Sequence, residues 1–154
     1  MLTYRVYASL PGSKVLHDLS PLCALTKLSA LDLSFSECLT NEDLSVLKDC
    51  PWLVSLNLTY VSGLEDVRFL SSFTQLEVLD IQATKVKSLS PLVNCISLKQ
   101  IDLRGTGVSD LSPLTRCAGL VKIKFKKWPQ QEEAEWQGRK MSGGQRLASL
   151  VRQQ

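Results

Sequence analysis

The stretch LEVLDIQATKVKSLSPLVNC occupies residues 76–95, and LKQIDLRGTGVSDLSPLTRC aligns with it without a gap at residues 98–117. Both begin with the pattern L-x-x-L-x-L, and both end with Ser-Pro-Leu followed by a cysteine. The opening pattern, with apolar equivalents, starts at residues 28, 53, 76, 98 and 120, so the starts are 22 to 25 residues apart. A period of this size indicates a repeat architecture built from small supersecondary units.

Each repeat predicts one strand and one return segment. In L-x-x-L-x-L the last two apolar positions lie two residues apart, so a short strand directs both side chains to the same side. The return segment, helical or 3₁₀, carries leucines of its own that point inward. Because one unit cannot bury its apolar edges alone, we expect a curved α/β solenoid, with a parallel sheet on the concave face and short helices on the convex face.

The return segments differ in the helices that they predict. LTNEDLSVLKDC is long enough for an α-helix, with Thr40 as N-cap and Asp43 completing a capping box. The shorter SLSPL and DLSPL segments place Ser at the cap and Pro at the first helical position, which favours one tight turn. DLSPL also occurs at residues 18–22, after an alternating apolar pattern from Leu2 to Leu10 that predicts an N-terminal strand.

These features divide the chain of 154 residues into two parts. Residues 1–128 are expected to form the repeat domain, in which residues 1–27 provide an N-terminal cap strand and a partial repeat. Residues 129–154 are expected to form a basic tail with short helices, because Pro129 ends the strand pattern. Residues 121–154 carry eight Lys and Arg against three Asp and Glu, so the basic character lies at this end.

The repeats resemble leucine-rich repeats. The 22-residue units are similar to the short repeats of phosphatase-1 regulatory subunits and of trypanosomatid leucine-rich repeat proteins. The 25-residue unit LDLSFSECLTNEDLSVLKDCPWL is similar to the cysteine-containing repeats of F-box-type proteins. The resemblance implies a solenoid with a binding surface, and it implies no particular partner.

Five cysteines are the main candidates for metal or redox chemistry. Cys50, Cys95 and Cys117 each lie three residues before a repeat-opening leucine, so we expect buried free thiols there. Cys23 and Cys38 are less tightly placed by the repeat and are expected to be partly exposed. With no C-x-x-C pair and one histidine, no metal or cofactor is expected. Five unpaired thiols favour a reducing intracellular compartment, the cytoplasm first and the mitochondrion as the alternative.

No set of residues indicates an enzyme. His17 lies beside Asp18 at a polar surface position of the repeat, and the repeat brings no serine or cysteine nucleophile close to it. The sequence also contains no G-x-x-x-x-G-K-[ST] phosphate-binding loop.

The strand positions that alternate with the inward leucines are expected on the concave face, where a partner would bind. The candidates are Asp32, Asn57, Asp80, Asp102, Arg104, Lys122, Lys124 and Lys126. Aspartate in the central column suits a partner that offers Lys, Arg or backbone N–H groups, and the alternative is a solvated ladder without a ligand. The lysines of the last strand repel one another, so they predict either an acidic neighbour or partner, RNA included, or a charged edge that blocks pairing.

The tail offers candidate contacts at Trp128, Trp136, Leu147, Leu150 and Val151. It either covers the open end of the solenoid or docks on a partner as a helix in a groove, and its glycines favour docking.

Together these patterns predict a non-catalytic protein–protein interaction module, a small adaptor or structural subunit of a larger intracellular assembly. One alternative is an RNA-contacting component of a ribonucleoprotein that uses the lysine strand and the tail. Another is a regulatory subunit of a phosphatase or ubiquitin-ligase complex. No apolar run approaches the roughly 18 residues of a membrane span, so no membrane contact is expected.

Overall fold

The computed structural model describes residues 6–14 and 16–125. Within them lies one parallel sheet whose strand order follows the chain. The strands are β1 (Val6–Ser9), β2 (Leu28–Asp32), β3 (Ser55–Asn57), β4 (Val78–Asp80), β5 (Gln100–Asp102) and β6 (Lys122–Lys124). The parallel solenoid predicted from the repeat is confirmed.

The return segments are mostly 3₁₀ helices: η1 (Ser20–Ala24), η2 (Val46–Asp49), η3 (Arg68–Ser72), η4 (Ser90–Asn94) and η5 (Ser112–Arg116). One short α-helix, α1 (Asn41–Ser45), precedes η2. The capping box is present at its start, where the Thr40 hydroxyl accepts from the Asp43 N–H and the Asp43 carboxylate accepts from the Thr40 N–H. The predicted helix therefore begins as expected and tightens to 3₁₀ geometry after five residues.

The Ser-Pro-Leu turns are capped differently from the sequence prediction. In each turn a leucine occupies the N-cap position, and the serine is already the first helical residue. The carboxylates of Asp18 and Asp110 accept from the N–H and the hydroxyl of Ser20 and Ser112, two residues further along. These hydrogen bonds from Ser20 hold the pKa of Asp18 below its ordinary value. The cap of these two turns is thus an aspartate upstream of the serine, and in the turn of η4 the Ser88 hydroxyl accepts from the Ser90 N–H in its place.

The core is a ladder of apolar side chains in uniform register. From β2 to β6 one inward position of each strand stands directly beside its equivalent in the next strand. This row consists of Leu31, Leu56, Leu79, Ile101 and Ile123, none more than 2% exposed. Each repeat forms one coil of the solenoid. Full burial of such a side chain contributes about 1.5–3 kcal/mol, so the row fixes the stacking of successive coils.

Four of the five cysteines lie in or directly after the 3₁₀ helices of the return segments, and two of these four are bonded. Cys50, Cys95 and Cys117 are buried, as predicted. The prediction of unpaired thiols is wrong for Cys23 and Cys50, which form a disulfide, while Cys38, Cys95 and Cys117 are free. Because η1 packs against η2, the two Cα atoms stand 5.1 Å apart, within bonding range. Three free thiols remain of the five on which the expectation of a reducing compartment was based.

None of the helices formed by residues 6–14 and 16–125 combines the length and apolarity that a transmembrane segment needs.

Candidate functional site

The solvent-facing side of the sheet, here called the concave face, aligns residues that are far apart in the sequence. Asp32, Asn57, Asp80, Asp102 and Lys124 occupy one position of five successive strands, each directly beside the next. We call this row the central column. Adjacent strands are about 4.8 Å apart, so the column presents its side chains as one continuous strip.

The first four members of the central column share a local structural role. The Oδ1 atoms of Asp32, Asn57, Asp80 and Asp102 each accept a hydrogen bond from the backbone N–H two residues later, at 2.9 to 3.1 Å. This Asx turn ends the strand in every coil. The repetition of Asp and Asn in this column therefore has a structural cause. Each aspartate retains a second carboxylate oxygen for other contacts, and Oδ2 of Asp32 accepts from the Tyr7 hydroxyl at 3.2 Å.

The third residue after each of the first four column residues has a left-handed backbone. The φ angles are 59° at Phe35, 59° at Tyr60, 55° at Ala83 and 73° at Gly105, and Gly12 in the first coil has 66°. The N–H groups of Gly12, Phe35, Tyr60 and Ala83 each donate to a carbonyl oxygen of the next coil, at 2.8 to 2.9 Å. Coil stacking thus imposes the conformation. Glycine adopts it freely, whereas other residues lose roughly 1–2 kcal/mol there.

Two aromatic side chains project from this left-handed position. The rings of Phe35 and Tyr60 stack with their centroids 5.0 Å apart and their planes 10° from parallel. Phe35 is 54% exposed and Tyr60 is 46% exposed, so neither ring contributes to the buried core. Tyr7 on β1 is the third exposed aromatic among residues 6–14 and 16–125. All three belong to the first three coils.

The C-terminal part of the concave face is an ion cluster. Asp102 is only 4% exposed, and its Oδ2 lies 2.7 Å from Nη2 of Arg104 and 3.2 Å from Nζ of Lys124. Burial by itself raises the pKa of Asp102, but hydrogen bonds from Arg104 and Lys124 outweigh it and hold the pKa below its ordinary value. The acidic neighbour expected for the lysine strand is therefore Asp102, and it pairs with Lys124.

Charge divides the concave face into two halves. The solvent-facing strand positions of β1–β4, as far as the structure describes them, carry Asp32 and Asp80 and no Lys or Arg. The positions of β5 and β6 and the turn after β5 carry three cations, Arg104, Lys122 and Lys124, against the single carboxylate of Asp102. We call these the acidic half and the basic half. A shallow hollow spans their boundary and is lined by residues of β4, β5 and β6.

Several candidates from the sequence lie elsewhere. Those outside the described residues are Lys126, Trp128, Trp136, Leu147, Leu150 and Val151. His17 is exposed on the surface, with Nδ1 3.8 Å from Oδ2 of Asp43. In the part of the chain that the structure describes, no three His, Cys, Asp or Glu side chains converge as metal ligands.

Solved structures with the same architecture identify the fold. Internalin C2 from Listeria monocytogenes str. 4b F2365 matches with a TM-score of 0.69 at 25% identity, over 78% of this chain and 51% of that one. An internalin (inlF) from the same strain matches with a TM-score of 0.57 at 22% identity, over 79% of this chain and 47% of that one. The chain is a leucine-rich repeat protein. It spans about half the length of these two internalins.

No protein-family model and no curated protein matches this leucine-rich repeat protein. Its surface must therefore be interpreted from its own residues.

The leucine-rich repeat pattern locates the central column, but it does not reveal the aromatic pair. Phe35 and Tyr60 fall in turns, where a single exposed apolar residue is common and by itself indicates no function. The signal that could have revealed the pair is the position of the two residues within the repeat. In an aligned repeat, Ala83 and Gly105 occupy the same place, so two large rings stand where small residues suffice.

Proposed function

We propose that this leucine-rich repeat protein is a non-catalytic protein-binding module that holds a partner protein against its concave face. In this role it serves as an adaptor or structural subunit of a larger assembly. The observation that carries the proposal is the division of that face into an acidic half and a basic half. Charge arranged in this way selects the register and orientation of a partner with the opposite arrangement.

A protein partner accounts for this surface better than RNA does. The carboxylates of Asp32 and Asp80 would repel a phosphate backbone along the acidic half. On the basic half, Lys124 is already paired with Asp102. Lys122 is the exposed cation of β6 among the described residues.

Site-specific photo-crosslinking in cells tests the proposal. A benzoylphenylalanine at Ser55 on the concave face should capture a defined partner protein. The matched control places the same group at Ser72, an exposed residue of η3 on the convex side. Capture from Ser72 alone, or capture of RNA from Ser55 in place of protein, would contradict the proposal.

Charge variants then test the two halves. Asp80→Asn keeps the acceptor for the Gln82 N–H and removes one negative charge, while Lys122→Glu reverses a charge on the basic half. Each should reduce capture at Ser55 several-fold, and the reduction should weaken as salt is added. The control Glu42→Lys reverses an exposed charge at the start of α1 and should leave capture unchanged.

A further inference from the structure

We infer that Phe35, Tyr60 and Asp32 form a subsite for an arginine side chain of the partner. The inference rests on the proposed function and specifies the chemistry of one part of the concave face. Its elements are two stacked exposed rings and the carboxylate of Asp32, which caps the turn that carries Phe35.

The rings are not required by the fold. They occupy the left-handed position, which coil stacking imposes and which Gly12, Ala83 and Gly105 fill in other coils without a ring. Glycine would be the least strained choice at Phe35 and Tyr60. Two half-exposed rings at strained positions are therefore better explained by contact with a ligand than by packing.

The charge around the rings selects a cation. Asp32 lies three residues before Phe35 and accepts only from neutral groups, the Ser34 N–H and the Tyr7 hydroxyl, within the described part of the chain. No Lys or Arg occupies a described solvent-facing position of β1–β4. A cation that contacts an aromatic face gains from the ring quadrupole, and a nearby carboxylate adds to that attraction.

The central column itself shows which cation it accommodates. At Asp102 the guanidinium of Arg104 forms a fork with the carboxylate: Nε donates to Oδ1 at 3.0 Å, and Nη2 donates to Oδ2 at 2.7 Å. Arg104 follows Asp102 by two residues, and the equivalent residue after Asp32 is Ser34, which supplies no such group. Asp32 has the same backbone setting, and no guanidinium of residues 6–14 or 16–125 bonds to it. Arginine also stacks on aromatic rings more readily than lysine does.

The experiment is an NMR titration of the ¹⁵N-labelled full-length chain with the peptide acetyl-Gly-Arg-Gly-Arg-Gly-amide. Amide shifts should concentrate at residues 32–36 and 57–61. The matched control peptide replaces each arginine with citrulline, which keeps the shape and removes the charge. We expect the citrulline peptide to bind at least tenfold more weakly.

Variants separate the rings from the carboxylate. The double variant Phe35→Gly/Tyr60→Gly should bind the arginine peptide about tenfold more weakly, with little change in its urea unfolding midpoint. Asp32→Asn keeps the acceptor of the Asx turn and should weaken binding two- to fivefold. Ala83→Gly changes the same backbone position without removing a ring, so it should bind like the wild type.

Equal affinity for the citrulline peptide, or unchanged affinity in the double variant, would overturn the arginine subsite. The photo-crosslink from Ser55 distinguishes this failure from failure of the proposed function. If the double variant still yields the wild-type cross-link and the peptide does not bind, the concave face is the interface and the arginine subsite is wrong. If Ser55 captures no protein while the peptide binds as expected, the subsite stands and the proposed function is wrong.

Discussion

Reduction of the Cys23–Cys50 disulfide should destabilise the protein by a predictable amount. The two cysteines are 27 residues apart, so the bridge closes a loop of nearly 30 residues in the unfolded chain. Loop-closure entropy for this length is about 12 cal/mol/K, which corresponds to about 3.6 kcal/mol at 25 °C. With a urea slope of roughly 1.5 kcal/mol per molar, the unfolding midpoint should fall by about 2.4 M.

The assay is urea unfolding followed by circular dichroism, with and without dithiothreitol. The control is the double variant Cys23→Ala/Cys50→Ala, which lacks the bridge in both conditions and should show no effect of the reductant. Thiol titration of the unfolded, unreduced chain gives an independent count. It should find three free thiols, because the chain has five cysteines and one disulfide.

Two results would refute the reasoning. Five titratable thiols without reductant would show that the bridge does not form. Three thiols together with an unchanged midpoint would show that the bridge forms but that its loop does not constrain the unfolded chain as the entropy argument requires.

Other parts of the fold give further predictions. Gly63→Ala should lower the free energy of unfolding by about 2 kcal/mol or more in urea melts, because the added Cβ would clash with the backbone carbonyl oxygen of Leu39. Leu79→Ala should cost about 3 kcal/mol in the same assay, while Val78→Ala, a solvent-facing neighbour on β4, should cost less than about 1 kcal/mol. Asp102→Asn should be less destabilising than Asp102→Ala, because the amide retains the acceptor of the Asx turn. The folded pKa of Asp102 lies below its unfolded value of about 3.9, so the stabilisation by its carboxylate should be complete above about pH 3.9 and should be lost as the pH falls through the folded pKa. The measurement is the difference in unfolding free energy between the wild type and Asp102→Asn as a function of pH.

Features that depend on local periodicity could be predicted from the sequence. The spacing of Leu76, Leu79 and Ile81 within one repeat is sufficient to place β4 and its inward side chains, because the strand period and the repeat period act together. Repetition then aligns the central column from coil to coil. The capping box at Thr40 and Asp43 was equally accessible, since its donors and acceptors lie within four residues.

Features that depend on contacts between coils could not be predicted. Cys23 sits two residues from the place that is equivalent to Cys50, so the repeat pattern does not pair them. Their bond depends on how η1 stacks on η2. The aromatic pair is a similar case, because Phe35 and Tyr60 meet only after stacking has fixed a left-handed backbone in both turns.

The buried thiols of Cys95 and Cys117 allow local unfolding of the solenoid to be measured without an added probe. The Sγ atoms of Cys95 and Cys117 donate to the carbonyl oxygens of Leu70 and Cys95, one coil back. Burial raises the pKa of Cys95 to about 12 and that of Cys117 to about 11, so almost no thiolate exists at neutral pH while the coils are closed. An alkylating reagent therefore reacts with each thiol only after its coil opens, and the rate equals the opening rate when the reagent is concentrated enough to react before the coil recloses. Comparing the two rates by mass spectrometry would show whether the solenoid unravels one coil at a time from this end or opens as a unit.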